Sequence, residues 1–215
     1  MYLKKTTVFL SLLLLFCLRA TAYAGESEIT KKFAAALDSQ DLQIMTAVIK
    51  ENGDKVPGEI RALVDDALLK GTPAEERDSK LYLAERMATV YKDVSGDAEP
   101  LKTVKKKNFE AKLTEPARPA PINGVYTVET LYTDAAKNFF KPDNIVIKSG
   151  ETVRWVDRDN AAHILASMPF IGEGGIFSAK VEPGGNWEHK FDKPGEYYYI
   201  CFIHKVMYGK ITVEK

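Results

Sequence analysis

The sequence has very little cysteine and histidine. Among 215 residues the only cysteines are Cys17 and Cys201, and the only histidines are His163, His189 and His204. A disulfide framework is therefore excluded. A covalent haem of the c type needs C-x-x-C-H, which is absent. A structural zinc site wants four nitrogen or sulfur ligands, commonly from paired cysteines, and this inventory fits it poorly. Charge of one sign is also missing, because Lys+Arg and Asp+Glu both number 30. The only dense basic run, Lys105-Lys106-Lys107, reads as a solvated segment, so no nucleic-acid partner is expected. Long hydrophobic runs are absent beyond the N-terminus.

At the N-terminus, Lys4 and Lys5 precede an uncharged, Leu-rich run from Thr6 to Leu18. Ala22-Tyr23-Ala24 follows as a small-residue cleavage signal. This order predicts a secretory signal peptide over residues 1–24. The run is short for a span, which needs about 20 apolar residues. Membrane contact is expected only if the leader stays as an anchor. Its removal takes Cys17 away and leaves Cys201 alone. A single cysteine in an exported protein is a reactive thiol, an intermolecular partner or a metal ligand.

Two periodicities divide the remainder. Over residues 25–98, apolar residues recur at three- and four-residue steps: Phe33, Leu37, Leu42, Met45, Val48 and Ile49, then Ile60, Leu63, Val64, Ala67 and Leu68. Thr72-Pro73-Ala74-Glu75 predicts an N-cap, a proline at the first helical position and a capping-box acid. The helix it opens runs to Tyr91 or Lys92 and stops at Ser95-Gly96. Three to four helices in a small bundle are expected. Residues 99–121 hold the lysine run and Pro116, Pro119 and Pro121, and read as an extended linker. From residue 122 to 215 the period falls to two. Strands are expected around Val128, Ile145–Ile147, Val153–Val156, Trp187–Phe191, Tyr197–Ile200 and Gly209–Val213. Turns at Ser149-Gly150, Pro183-Gly184-Gly185 and Lys193-Pro194-Gly195 separate them. The fold class is α+β with two domains, a helical bundle followed by a β-sandwich or barrel.

The chemistry concentrates in Cys201-Phe202-Ile203-His204-Lys205-Val206-Met207. A thiolate, an imidazole and a thioether in one loop between two strands suit copper. A second imidazole would complete a His₂Cys set with a weak axial Met. His163, after the Thr152–Val156 strand and the polar turn Asp157–Asn160, is the natural candidate. His189 alternates with Trp187 and Phe191 and reads as a strand residue. Further metals would need further histidines, so a multicopper oxidase or copper nitrite reductase is excluded for this chain alone.

The segment Tyr197–Val213 resembles the ligand loop of plastocyanin-like cupredoxins, and its short Cys-to-Met spacing is similar to that of amicyanin. Phe140-Lys141-Pro142 to Ile147, Gly150–Trp155 and Phe191-Asp192-Lys193-Pro194-Gly195 carry the same resemblance, which covers about residues 120–215. It implies a Greek-key β-sandwich and one copper ion, cycling between Cu(II) and Cu(I), on His163, Cys201, His204 and Met207. One departure is Ile164, where many members carry Asn or Thr to brace the ligand loop. That brace is either missing or supplied by Ser167 or Asn160.

The function this implies is a one-electron shuttle in the periplasm, serving redox proteins that the sequence does not identify. It transforms no substrate and is not itself an enzyme. Met168-Pro169-Phe170-Ile171 reads either as ordinary core or as part of an apolar docking patch around His204. Two other readings are periplasmic copper binding, storage or delivery, and a helical interaction module that docks the copper domain on a partner.

Overall fold

A computed structural model of the chain describes residues 25–132 and 139–215. The leader expected over residues 1–24 lies outside the described residues. The chain forms two compact units that divide between Lys107 and Asn108.

Four helices carry the apolar stripes of the first unit: α1 (Glu28–Asp38), α2 (Leu42–Glu51), α3 (Val56–Ala67) and α4 (Ala74–Ser95). Ser27 and Asp41 cap α1 and α2 by accepting from the backbone N–H of Thr30 and Ile44; each satisfies one of the orphan donors of a helix start. Phe33, Ile49, Leu63, Leu83 and Met87 are fully buried in one shared core. Lys80 is buried among them, and its ammonium pairs with Glu76 at 2.7 Å and with Asp66, as a buried charge requires. The capping box expected at Thr72 does not form. Helix α4 starts after Pro73 without a side-chain cap, because the Thr72 hydroxyl donates to the Leu69 carbonyl at 2.9 Å, closing the turn after α3. The expected stop at Gly96 is present, with φ at 79°, a conformation that glycine adopts freely.

The extended linker expected over 99–121 is a second correction. Residues Glu99–Glu110 form a fifth helix, α5. Pro100 falls in its first turn, where a missing N–H costs nothing, and Asp97 accepts from the Glu99 amide at 2.9 Å. Val104 is buried with the first unit's core.

The second unit starts earlier than residue 122. Phe109 packs edge-on against Tyr198 and Tyr208, with ring centres 5.3 and 5.2 Å apart. Glu110 accepts from the Tyr198 hydroxyl at 2.7 Å and from Lys210 at 2.8 Å. Ala117 donates to Asn144 and accepts from Val146, both at 2.9 Å.

Eight strands follow: β1 (Val125–Thr130), β2 (Phe140–Lys141), β3 (Asn144–Lys148), β4 (Glu151–Asp157), β5 (Leu165–Ser167), β6 (Asn186–Phe191), β7 (Gly195–Cys201) and β8 (Tyr208–Glu214). They make two four-stranded sheets, ordered β2-β1-β4-β6 and β3-β8-β7-β5. The pairs β1–β4 and β3–β8 are parallel, and the others are antiparallel. Inward residues of both sheets share one core, including Val128, Trp155 and Phe191 from one and Tyr199, Cys201 and Ile211 from the other. The alternation of buried and half-buried positions in β4 and β8 is the period-two pattern of strands with one face on a core.

Candidate metal centre

Cys201 is the last residue of β7, and β5 pairs beside it with Leu165 opposite Cys201. That register sets His163, two residues before Leu165, next to the thiol. The Val181 backbone holds His163 by reciprocal hydrogen bonds of 2.9 and 2.8 Å. The loop from Cys201 to β8 is closed by its own backbone: Met207 N–H donates to His204 at 3.0 Å, and Cys201 N–H to Met207 at 3.3 Å. The His204 amide donates to the Cys201 sulfur at 3.3 Å, and Phe202 N–H to the Ile164 carbonyl at 2.7 Å.

The ligand atoms of His163, Cys201 and His204 all lie within 4.8 Å of one another. The two Nδ1 atoms are 3.3 Å apart, and His204 Nδ1 is 3.6 Å from Cys201 Sγ. Met207 is fully buried in the same core cluster as Cys201. His189 is elsewhere, on β6 between Trp187 and Phe191 with ring centres 5.5 and 4.7 Å away, as the alternation of that strand predicts.

Two carboxylates set the protonation of His163. Its Nε2 lies 3.2 and 3.3 Å from the Asp159 oxygens and 3.8 Å from Asp157 Oδ2. The proton belongs on Nε2, facing the carboxylates, which leaves the Nδ1 lone pair toward Cys201 and His204. Asp159 is itself fixed by the backbone N–H groups of Tyr132 and of Ala161, the latter at 2.6 Å. Tyr132 stacks on the His204 ring at 4.1 Å and 12°. The brace expected from Ser167 is not formed, because its hydroxyl accepts from Ile176 N–H at 2.9 Å. Asp159 holds the His163 ring instead of the loop, and the signal for that contact was their i, i+4 spacing.

The titrations follow from these contacts. Burial pushes the Cys201 thiol up, but the His163 ring and the backbone N–H groups around it outweigh burial and hold it below the ordinary thiol range. A thiolate is the metal-binding form. Burial and the neighbouring His163 push His204 down, toward the neutral ring. Burial opposes charge on His163 too, yet Cys201, Asp159 and Asp157 together raise it.

Two ring nitrogens and a sulfur facing each other this closely need a proton or a cation among them. Their spacing suits donors around one small ion, and a thiolate with two imidazoles and a nearby thioether suits copper.

Comparison with known proteins agrees. The sequence profile of copper binding proteins of the plastocyanin/azurin family matches residues 127–214. Plastocyanin of Scenedesmus fuscus is 33% identical over 93 residues, which cover 39% of this chain and 95% of that protein. Amicyanin of Paracoccus denitrificans is 28% identical over 39% of this chain and 65% of its own length. Amicyanin-alpha of Methylorubrum extorquens is 32% identical over 37% of this chain and 67% of its own. The second unit is thus a cupredoxin β domain with copper as its cofactor. Through that domain the chain belongs to the plastocyanin/azurin family of copper binding proteins.

One expectation about the surroundings is corrected. Met168–Ile171 does not surround His204. Met168 N–H bonds to Tyr198 at 2.8 Å, and Ile171 clusters with Phe109 and Tyr198, three residues back along β7 from Cys201. The exposed apolar side chains beside His204 are Phe202, Ile203 and Val206, at 61%, 46% and 52% exposure.

Proposed function

We propose that the protein is a periplasmic one-electron carrier whose copper is held by His163, Cys201, His204 and Met207 in a Greek-key β-sandwich. The observation that carries this reading is the convergence of His163 Nδ1, His204 Nδ1 and Cys201 Sγ within 4.8 Å. Bound copper supplies the Cu(II)/Cu(I) couple. The chain's part is to hold still. His163 is fixed at one ring edge by Asp159 and at its backbone by Val181. Cys201 ends a strand paired on both sides, and His204 is stacked against Tyr132. Donors that do not move between oxidation states keep the reorganisation on electron transfer small. Cys201 and His163 are buried while His204 is half-exposed, so the His204 ring is the electron's way to a partner.

The partner is a redox protein that docks on the apolar rim of Phe202, Ile203 and Val206. No substrate is transformed, and the domain is a carrier rather than an enzyme. Periplasmic placement rests on the leader read in the sequence. The test is a stopped-flow measurement of electron exchange between the copper-loaded protein and a small c-type cytochrome. Phe202→Glu is expected to slow the bimolecular rate at least tenfold while the thiolate–copper absorption persists. An unchanged rate with the absorption intact would reject docking at this rim. A copper-loaded protein that exchanges no electrons with any acceptor would favour storage or delivery.

A further inference from the structure

The two carboxyls behind His163 are not equivalent. Asp159 is fully engaged by two backbone N–H groups and by His163 Nε2. Asp157, at the end of β4, accepts from the Asp159 N–H through Oδ1 at 2.9 Å. Its Oδ2 is shielded from water and has no hydrogen-bond partner among the described residues. The residue is 2% exposed, and the same oxygen faces His163 Nε2 at 3.8 Å. The adjacent basic residue does not compensate it, because Arg158 pairs with Glu129 at 3.1 Å on the exposed side of the sheet.

A buried anion without a partner is costly. Among the described residues, the one positive charge in reach would be on, or beyond, the His163 ring. Coulomb attraction across a poorly screened interior grows with the charge of the ion. An anion so placed stabilises a doubly charged ion more than a singly charged one, and a difference in affinity between two charge states moves the equilibrium between them. We propose that Asp157 is a positioning residue acting through His163, whose carboxylate biases the centre toward Cu(II) and lowers its reduction potential. The proposal rests on the reading of His163 as a ligand. It assigns a role to a side chain whose unpartnered oxygen the fold otherwise leaves unexplained.

The test uses ions of fixed charge and the full-length mature protein. Zn(II) and Ag(I) affinities are measured by competition for the apo wild type and for Asp157→Asn, which keeps the shape and the bond to the Asp159 amide. Zn(II) binding is expected to weaken on the order of tenfold more than Ag(I) binding, the effect of one nearby charge under moderate screening. In the copper-loaded variant the midpoint potential rises while the thiolate band persists. An unchanged Zn(II)/Ag(I) ratio and potential overturns the proposal. A second equivalent of Zn(II), taken up by the wild type and lost in the variant, also overturns it, in favour of a cation shared by Asp157, Asp159 and His163. A wild type without a thiolate band rejects the ligand reading, and the proposal with it. Should the variant fail to fold, the carboxyl carbon-13 shift of Asp157 in the Zn(II)-loaded wild type decides. An ionised carboxylate at pH 7 supports the proposal, and a neutral one overturns it.

Discussion

Replacing Asp159 with Ala removes one side chain that joins three parts of the centre. The carboxylate accepts from the Tyr132 and Ala161 amides and faces His163 Nε2 at 3.2 Å. Hydrogen bonds to a charged group contribute about 1.5–3 kcal/mol each, though an amide that reaches water recovers much of this. A net loss of about 2–4 kcal/mol is expected, a fall in melting temperature on the order of 10 °C for a unit of this size. Copper affinity should fall roughly 10- to 100-fold, the usual effect of removing a partner of a ligating imidazole. The Tyr132–His204 stack should loosen as well, since Asp159 anchors the Tyr132 amide. The pH dependence has a definite sign. Burial pushes the Asp159 carboxyl up, but the two amides and His163 outweigh it and hold it below the ordinary range. Its contribution is therefore present above about pH 4 and is lost as the pH falls through the lower folded value. Thermal melts of the apo protein from pH 7 to pH 2, with copper competition titrations, measure both effects. An Asp159→Ala protein with wild-type stability, acid limb and copper affinity would refute the role given to this carboxylate.

Other consequences follow from packing. Gly209 on β8 lies opposite Tyr199, and a Cβ there would come within 2.6 Å of the Tyr199 ring. That ring is fully buried against Phe140 and Trp155 and has no room to yield. Gly209→Ala should cost about 1–3 kcal/mol, read by denaturant unfolding, and a neutral result would contradict the register of β7 and β8. Phe109→Ala should destabilise the copper domain by about 3 kcal/mol, read as an earlier thermal loss of the copper absorption. An unchanged loss would return Phe109 to the linker in which the sequence first placed it.

The ligand loop was legible because the chemistry is local. Cys201, His204 and Met207 fall within seven residues between two strands, and the strands alternate cleanly. His163 was reached through strand order, and the β5–β7 register explains why it arrives beside Cys201. Asp157 and Asp159 were missed because a polar turn is an ordinary connector until the ring it faces is known. Helix α5 was missed because its lysines and the prolines after it dominate the composition, although Leu101, Val104 and Phe109 carry the apolar spacing. Phe170 was placed near His204 by closeness in sequence to His163, yet the chain runs along β7 away from the centre before reaching it.

The role of every residue in the centre turns on a thiolate-bound copper at Cys201. The decisive measurement is the visible absorption spectrum of the mature protein after addition of Cu(II), with Cys201→Ser measured beside it. An intense visible band from copper bound to a cysteine thiolate is predicted for the wild type and its loss for the variant. A wild type that binds Cu(II) without the band, or a variant that keeps it, would contradict the account.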